Sequence, residues 1–371
     1  MSKKNKQNKH NDSCPLVAMD IGGSSIKAIA AEKLDNGAFR ILGLERLSKQ
    51  GYIDKGIITQ TTDAGFCIGR ILTQLTNRIG ISDIIDRAFV TIGGRLLQMA
   101  LVTVKRDLVS RNYISDKLLD SMRKECQEKL ERSYPQLAVL TIEATRYLLD
   151  GVEQDYKPTN KQKTRYFEIV FTVFVGKREA KENILGSFNR ANKSIEYQWV
   201  RPEAHITALT TQDEQLNGVA IVDLGAQTTT LTIFSRDNYL HTHVIPLGGD
   251  DITKQLQGDS LSFEIAEKVK TNFGCALKEL IREDKNLRIP SSKQASGYVV
   301  YSLSQIAEII ESVLDEILGP VMQEINHFAD KTTKIYLTGG GALLKGILQY
   351  TQRQTTISVE YGSHAEWLET D

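Results

Sequence analysis

An excess of charge of either sign is missing from this chain. Lysine plus arginine total 46 and aspartate plus glutamate total 46 over 371 residues, so no global field draws it onto nucleic acid. Missing too is any run of apolar residues long enough to span a membrane. The opening segment MSKKNKQNKHND has lysines but no apolar stretch behind them, so it reads as a disordered basic tail over residues 1–15 and not as a signal peptide. Cysteine is sparse. Cys14, Cys67, Cys126 and Cys275 show no CxxC spacing, which argues against a disulfide framework and for a reduced, cytoplasmic setting. The Walker pattern GxxxxGK[ST], a strong dinucleotide fingerprint and any Ser-His-Asp or Cys-His arrangement are absent as well.

What is present is an alternation of strands, helices and glycine turns long enough for two or three domains. LVAMDIGG, SSIKAIAAE and AFRILGLERL read as a three-stranded antiparallel start. Apolar residues at Ala64, Ile68, Ile71, Leu72, Leu75 and Ile79 then keep spacings of three and four, predicting a helix capped by Thr62 or Asp63. The strand AFVTIGG, a polar helix from Ser115 to about Leu130, a loop from Gly151 to Arg165 and the β-branched run FEIVFTVFV follow. Beyond a helix, a strand and a short helix beginning at Pro202, the opening pattern returns: GVAIVDLGAQTTTLTIF and YLHTHVIPLGG repeat strand, Asp-x-Gly turn, strand, strand. An echo at that distance indicates two domains of similar build flanking a cleft. Helices over Ser262–Asn272 and Ser302–His327, the strand KIYLTGGG, the helix ALLKGILQYTQ and a short strand close the chain.

Four features carry chemistry. At Asp20-Ile-Gly-Gly-Ser-Ser, glycines let backbone N–H groups approach a phosphate, Ser24 and Ser25 add hydroxyl donors, and Asp20 suits the water shell of Mg²⁺. Asp223-Leu-Gly-Ala-Gln-Thr is the same device again, weakened where Ala226 and Gln227 replace smaller residues. In Leu337-Thr-Gly-Gly-Gly-Ala, a strand running into three glycines and a helix leaves a flat surface for adenine or ribose. Glu267 and Lys270 sit one helical turn apart on one face. Each alone is an ordinary hairpin, turn or solvated ion pair. The order of the four discriminates: phosphate turn, phosphate turn, Glu/Lys helix, adenosine glycines.

That order resembles the actin, sugar-kinase and heat-shock-chaperone superfamily, and within it the bacterial cell-division family FtsA. VAMDIGGSSIKAIAAE, GYIDKG, FVTIGG, VAIVDLGAQTTTLTIF, HTHVIPLGGDDIT, AEKVKTNFGCAL and IYLTGGGALLKGI carry the likeness. It implies an α/β, actin-like two-lobed fold of duplicated ribonuclease-H-like domains, with a small inserted α+β domain in the first lobe. The first lobe would take residues 16–88 and 172–205, the insertion 89–171, the second lobe 206–355, and a C-terminal strand and tail 356–371. It also implies ATP with Mg²⁺, self-association into actin-like filaments, and binding to the C-terminal tail of FtsZ and other division proteins at the inner membrane face of the division site. By position, Asp20, Gly22, Gly23, Ser24, Ser25 and Lys27 would form the first phosphate loop, and Asp223, Gly225 and Thr228 the second. Glu267 and Lys270 would flank the ribose and base, Gly339, Gly340 and Gly341 would back the adenosine, and Asp20 and Asp223 would hold Mg²⁺ through water.

Departures from the family pattern shape the remaining expectations. Ala144-Thr145 stands where the family has Pro-Gln, at about the place where the resemblance implies a glutamine orienting attacking water, so hydrolysis is expected to be slow at most. The chain stops soon after Tyr361 without an amphipathic helix, so membrane contact is expected through a partner. His241 and His243 lie two apart on a strand face with no cysteine or carboxylate at useful spacing, and are read as packing residues, as are Trp199 and Trp367. Rival readings are a pilus-assembly actin homologue and a sugar kinase. The kinase would need a catalytic aspartate near the sugar that the sequence does not show.

Overall fold

Two stretches of like pattern fold alike. The structure, a computed structural model, describes residues 15–48, 51–81, 85–154, 156–362 and 368–369. The basic tail over residues 1–14 and Trp367 lie outside them. β1 (Leu16–Ile21), β2 (Ser25–Lys33) and β3 (Phe39–Ser48) run antiparallel, and their alternate residues Val17, Met19, Ile26 and Ala28 point into one core, as a period of two requires. A small hairpin of β4 (Ile53–Asp54) and β5 (Ile57–Ile58) leads to α1 (Thr61–Ile79), whose apolar stripe is buried on the sheet. The helix starts two to three residues earlier than the Thr62 or Asp63 cap that the sequence suggests. Gln60 is the N-cap and bonds no side chain, while Asp63 lies in the first turn, where its charge favours the N-terminal end of the helix dipole. β6 (Arg87–Ile92) then lies parallel to β1.

Here the chain leaves that sheet. β7 (Gln98–Tyr113), α2 (Asp116–Ser133), β8 (Leu137–Leu149), β9 (Val152–Gln154) and β10 (Lys163–Lys177) make a separate sheet in the order β7-β10-β8-β9. Ser115 caps α2 by accepting from the Leu118 N–H at 3.2 Å, and the helix buries only Met122 and Cys126, in keeping with its polar sequence. The chain returns through α3 (Arg178–Arg190) to β11 (Ser194–Val200), parallel to β6. α4 (Arg201–Leu209), with Pro202 in its first turn, and α5 (Gln212–Asn217) lead onward.

β12 (Val219–Leu224), β13 (Thr229–Ser235) and β14 (Asn238–Ile245) repeat the opening motif. After α6 (Gly249–Gln257), α7 (Phe263–Phe273), the hairpin of β15 (Asn286–Pro290) and β16 (Tyr298–Ser302), and α8 (Leu303–His327), β17 (Lys334–Thr338) joins parallel to β12. After α9 (Ile347–Gln352), β18 (Ser358–Tyr361) completes the sheet beside β17. The two main sheets therefore read β11-β6-β1-β2-β3 and β18-β17-β12-β13-β14, one topology used twice. α8 seats Ile306, Ile310, Leu314, Ile317, Val321 and Ile325 in the second core, each worth about 1.5–3 kcal/mol relative to exposure. A third apolar cluster, with Phe174 edge-on to Tyr239 at 5.1 Å, fastens the inserted sheet to the second half.

Two stretches depart from the sequence reading. The stretch over residues 151–165, read as a loop, holds β9 and the first residues of β10, because the chain there pairs back onto β8 and β7. The helix expected from Ala342 is broken: Gly340–Leu343 is a single 3₁₀ turn and α9 begins only at Ile347. Gly346 interrupts it with φ +81°, a left-handed conformation, and a Cβ there would lie 2.8 Å from the Leu280 Cδ1.

Candidate functional site

Both phosphate turns sit where a central strand ends. Asp20 closes its strand in register with Thr91 on β6, and Asp223 does so in register with Thr338 on β17. The Gly22 N–H donates to the Ser25 carbonyl at 3.0 Å, and the Gly225 N–H to the Thr228 carbonyl at 3.0 Å. The second turn is braced from behind, since the Gly249 N–H at the start of α6 donates to the Gly225 carbonyl at 3.0 Å.

Between the two aspartates lies a residue the sequence did not single out. Arg201, first in α4, donates from Nη2 to Asp20 Oδ1 at 2.9 Å, and its Nη1 lies 3.9 Å from Asp223 Oδ2. Its side chain is only 11 % exposed and packs against Gly93, where a Cβ would come 2.9 Å from the guanidinium carbon. Lys27 Nζ, 3.3 Å from Asp20 Oδ2, and the Thr91 hydroxyl, 3.1 Å from Oδ1, complete the shell. Burial alone would raise the Asp20 carboxyl. Arg201, Lys27 and Thr91 outweigh it and hold Asp20 at about 2. One turn along α4, His205 places Nε2 3.8 Å from Asp223 Oδ2. Burial lowers its pKa despite the Asp223 charge, so the imidazole is neutral near pH 7.

The two turns also touch each other. The Gln227 side chain lies against Gly23, where a Cβ would come 3.0 Å from its Cγ. Its Oε1 accepts the Lys55 N–H at 2.8 Å, and Lys55 Nζ donates to the Pro246 carbonyl at 2.7 Å. The residue read as weakening the second turn thus ties it to the GYIDKG hairpin of the first half.

On the far side, Lys270 Nζ donates to Glu267 Oε2 at 2.7 Å, to the Gly249 carbonyl at 2.8 Å and to the Thr253 hydroxyl at 2.7 Å. Thr253 in turn bonds Glu267. The pair is a knitted cluster against the second turn rather than a solvated face. Gly339, φ +83°, packs so closely that a Cβ would sit 2.3 Å from Asp223 Oδ1, and one on Gly341 would sit 2.9 Å from the Leu224 Cβ. A Cβ on Gly340 would meet nothing within 4 Å. These glycines are therefore of two kinds: two fit the backbone to the second turn, and one faces open space.

The cleft thus gathers Asp20, Gly23 and Lys27 with Gln227, and Asp223 and Gly225 with Gly339, Lys270 and Glu267. Thr145, expected near it, lies in β8 of the inserted sheet, where its hydroxyl donates to the Val170 carbonyl at 3.1 Å. Arg201 and His205 are the residues that sequence reasoning missed, and Gln227 is the one it misread.

The arrangement fits a nucleotide's phosphates. Among the described residues, Ser25 Oγ and His205 Nδ1 are buried without a hydrogen-bond partner, at a cost of about 1–3 kcal/mol for each such group. An incoming anion can relieve that cost at the serine, and the glycines leave the backbone approachable. A magnesium ion on Asp20 and Asp223 fits less well. Both Asp20 oxygens already accept hydrogen bonds, and Arg201 and Lys27 balance the two carboxylate charges.

Known proteins resemble this chain in sequence and in fold. The family model described as "Cell division protein FtsA" matches residues 220–370. FtsA of Bacillus subtilis (strain 168) is 27% identical over 345 residues, covering 91% of this chain and 76% of that protein. Among solved structures, the PilM-PilN type IV pilus biogenesis complex matches with TM-score 0.69 at 16% identity, over 96% of this chain and 90% of that one. MreB5 of Spiroplasma citri bound to ADP matches with TM-score 0.56 at 14% identity, over 94% and 92%. At such identities the structural likeness speaks for fold alone. That fold is the actin-like one, in the duplicated form the repeated strand order displays.

Proposed function

From the premise that this chain is FtsA-like along nearly all its length and actin-like in fold, we propose that it is a cell-division scaffold switched by ATP in the cleft between its two halves. The observation that carries the reading is the meeting of both glycine turns and the Gly339–Gly341 run at one place, with Gln227 on Gly23 and Gly339 on Asp223. Phosphates would lie between the turns, with Ser25 as hydroxyl donor and Lys27 and Arg201 as cations. The ribose and base would lie toward Lys270, Glu267 and the open face of Gly340. Magnesium would arrive with the nucleotide instead of being held by the two aspartates.

Turnover would be slow. A carboxyl held at about 2, as Asp20 is, is a weak general base at neutral pH, because base strength falls with pKa. An occupied cleft would fix how the two halves sit, and that geometry would govern filament formation and binding of the FtsZ C-terminal tail. The protein would act at the division site on the inner face of the membrane. Among the described residues no helix is long and apolar enough to cross a membrane.

The test is capture of the chain by an immobilised FtsZ C-terminal peptide, with and without ATP. Retention that rises with ATP supports the reading, and no retention in either state removes the FtsZ partnership. The PilM-PilN likeness is one of fold at 16% identity, and the sequence likeness points to FtsA.

A further inference from the structure

Away from the cleft, β14 and α8 bring together three groups that sequence spacing kept apart. His241 and His243 project from one face of β14, in register with the buried Ile233 and Leu231 of β13. Glu324 comes from the last turns of α8, more than eighty residues further along, and takes one ring from each side. His241 Nε2 lies 2.8 Å from its Oε2, and His243 Nδ1 2.6 Å from its Oε1. The carboxylate partner that the sequence reading found missing is therefore supplied by the fold.

We propose that His241, His243 and Glu324 form a binding site for a divalent transition-metal ion of the zinc class, which clamps edge strand β14 to helix α8. Two imidazole nitrogens and one carboxylate are the donor set that borderline metals take. The three ligand atoms already lie within 4.8 Å of one another. Zinc holds nitrogen and oxygen at about 2.0–2.2 Å in a tetrahedron, which places neighbouring ligand atoms about 3.3 Å apart. Small side-chain rotations open the present contacts to that spacing. On binding, each coordinating nitrogen offers its lone pair and its proton moves to the other ring nitrogen by way of solvent. The ring of His241 is held by stacking on Phe328, with centroids 5.7 Å apart and planes at 23°. His243 is 47 % exposed, so an ion can enter from solvent, and the fourth position remains open to water or to a partner's side chain. Magnesium is excluded by chemistry, because a hard ion prefers oxygen to imidazole.

The test titrates the metal-free full chain with Zn²⁺ against a chromophoric chelator in excess Mg²⁺, and repeats the titration with Co²⁺ for its absorption spectrum. The expected result is one ion of this class per chain, a cobalt spectrum of tetrahedral type without thiolate charge transfer, and a melting temperature raised by Zn²⁺. His243→Ala and Glu324→Gln should each weaken binding by about tenfold or more, while melting close to the parent in chelator. Retention of no ion would overturn the proposal. So would equal affinity in both variants, which leaves the three groups a hydrogen-bonded clip, or a thiolate band, which places the metal on cysteine.

Discussion

Replacing Arg201 by methionine tests the arrangement of the cleft at its centre. Methionine keeps much of the apolar stem and removes the charge, leaving Asp20 and Asp223 facing each other without their shared cation. Breaking a buried ion pair costs about 3–5 kcal/mol. A third of the Asp20 side chain, 33%, is open to water, so screening reduces the expected loss to about 2–3 kcal/mol. The loss should also depend on pH. In the parent, Asp20 sits at about 2 against an ordinary 3.8, so its stabilising contribution is present above 3.8 and fades as pH falls through 2. In the variant Lys27 and Thr91 remain, but the largest counterweight to burial is gone and the carboxyl moves up. The deficit should therefore be largest near pH 7 and shrink as acid protonates it. Millimolar Mg²⁺ should restore part of the stability in the variant and little in the parent, because only the variant presents unbalanced carboxylates. Urea unfolding at pH 7 and pH 5, with and without Mg²⁺, measures all of this. A variant within about 0.5 kcal/mol of the parent, with a flat pH response, would refute the assignment of Arg201 as the internal counter-ion.

Other predictions follow from single contacts. Burial pushes Glu203 up to about 6 from 4.5, helped by the nearby Glu143 carboxylate; the stability tied to its protonated form is complete below 4.5 and lost as pH rises through 6. Glu203→Gln, which keeps an acceptor for the Val200 N–H, should therefore stabilise by up to about 2 kcal/mol at pH 7.5 and by almost nothing at pH 4, as paired melts will tell. Gly339→Ala places a Cβ 2.3 Å from Asp223 Oδ1 at a residue with φ +83°, and denaturant titration should find a loss of about 2 kcal/mol or more. Ser25→Ala deletes a buried hydroxyl that has no partner among the described residues, so stability without ligand should hold or rise slightly, while ATP affinity measured by calorimetry should fall by about tenfold.

Much of the architecture is legible because it is local. Alternating apolar residues mark β2 and β13, near-continuous apolar runs mark β1 and β12, and Asp-x-Gly at Asp20 and Asp223 marks where both halves turn. Ser115, Ser262 and Ser302 accept N–H bonds at helix starts, as their placement ahead of apolar periodicity suggests. Arg201 is not legible in this way. It stands before Pro202 like any residue opening a helix, and its Asp20 partner lies 181 positions away. Gln227 misleads for the same reason: within GAQT it looks like a lost glycine, and only the folded chain brings Lys55 against it. Thr145 was placed by resemblance near attacking water, but the topology puts it in a separate sheet. Glu324 lies too far along the chain from His241 and His243 for spacing to join them.

The central claim, that ATP occupies this cleft, rests most directly on Gly340. Its Cβ would meet nothing within 4 Å, so Gly340→Val should fold and melt like the parent while filling the space over which adenosine would lie. Equilibrium binding of ATP to both chains, with melting curves taken alongside, decides the matter. The account predicts one ATP per parent chain, a stabilisation of about 2.7 kcal/mol at a hundredfold its dissociation constant, and at least tenfold weaker binding in the variant. A parent chain that ignores millimolar ATP, or a variant that binds it equally well, would contradict the account.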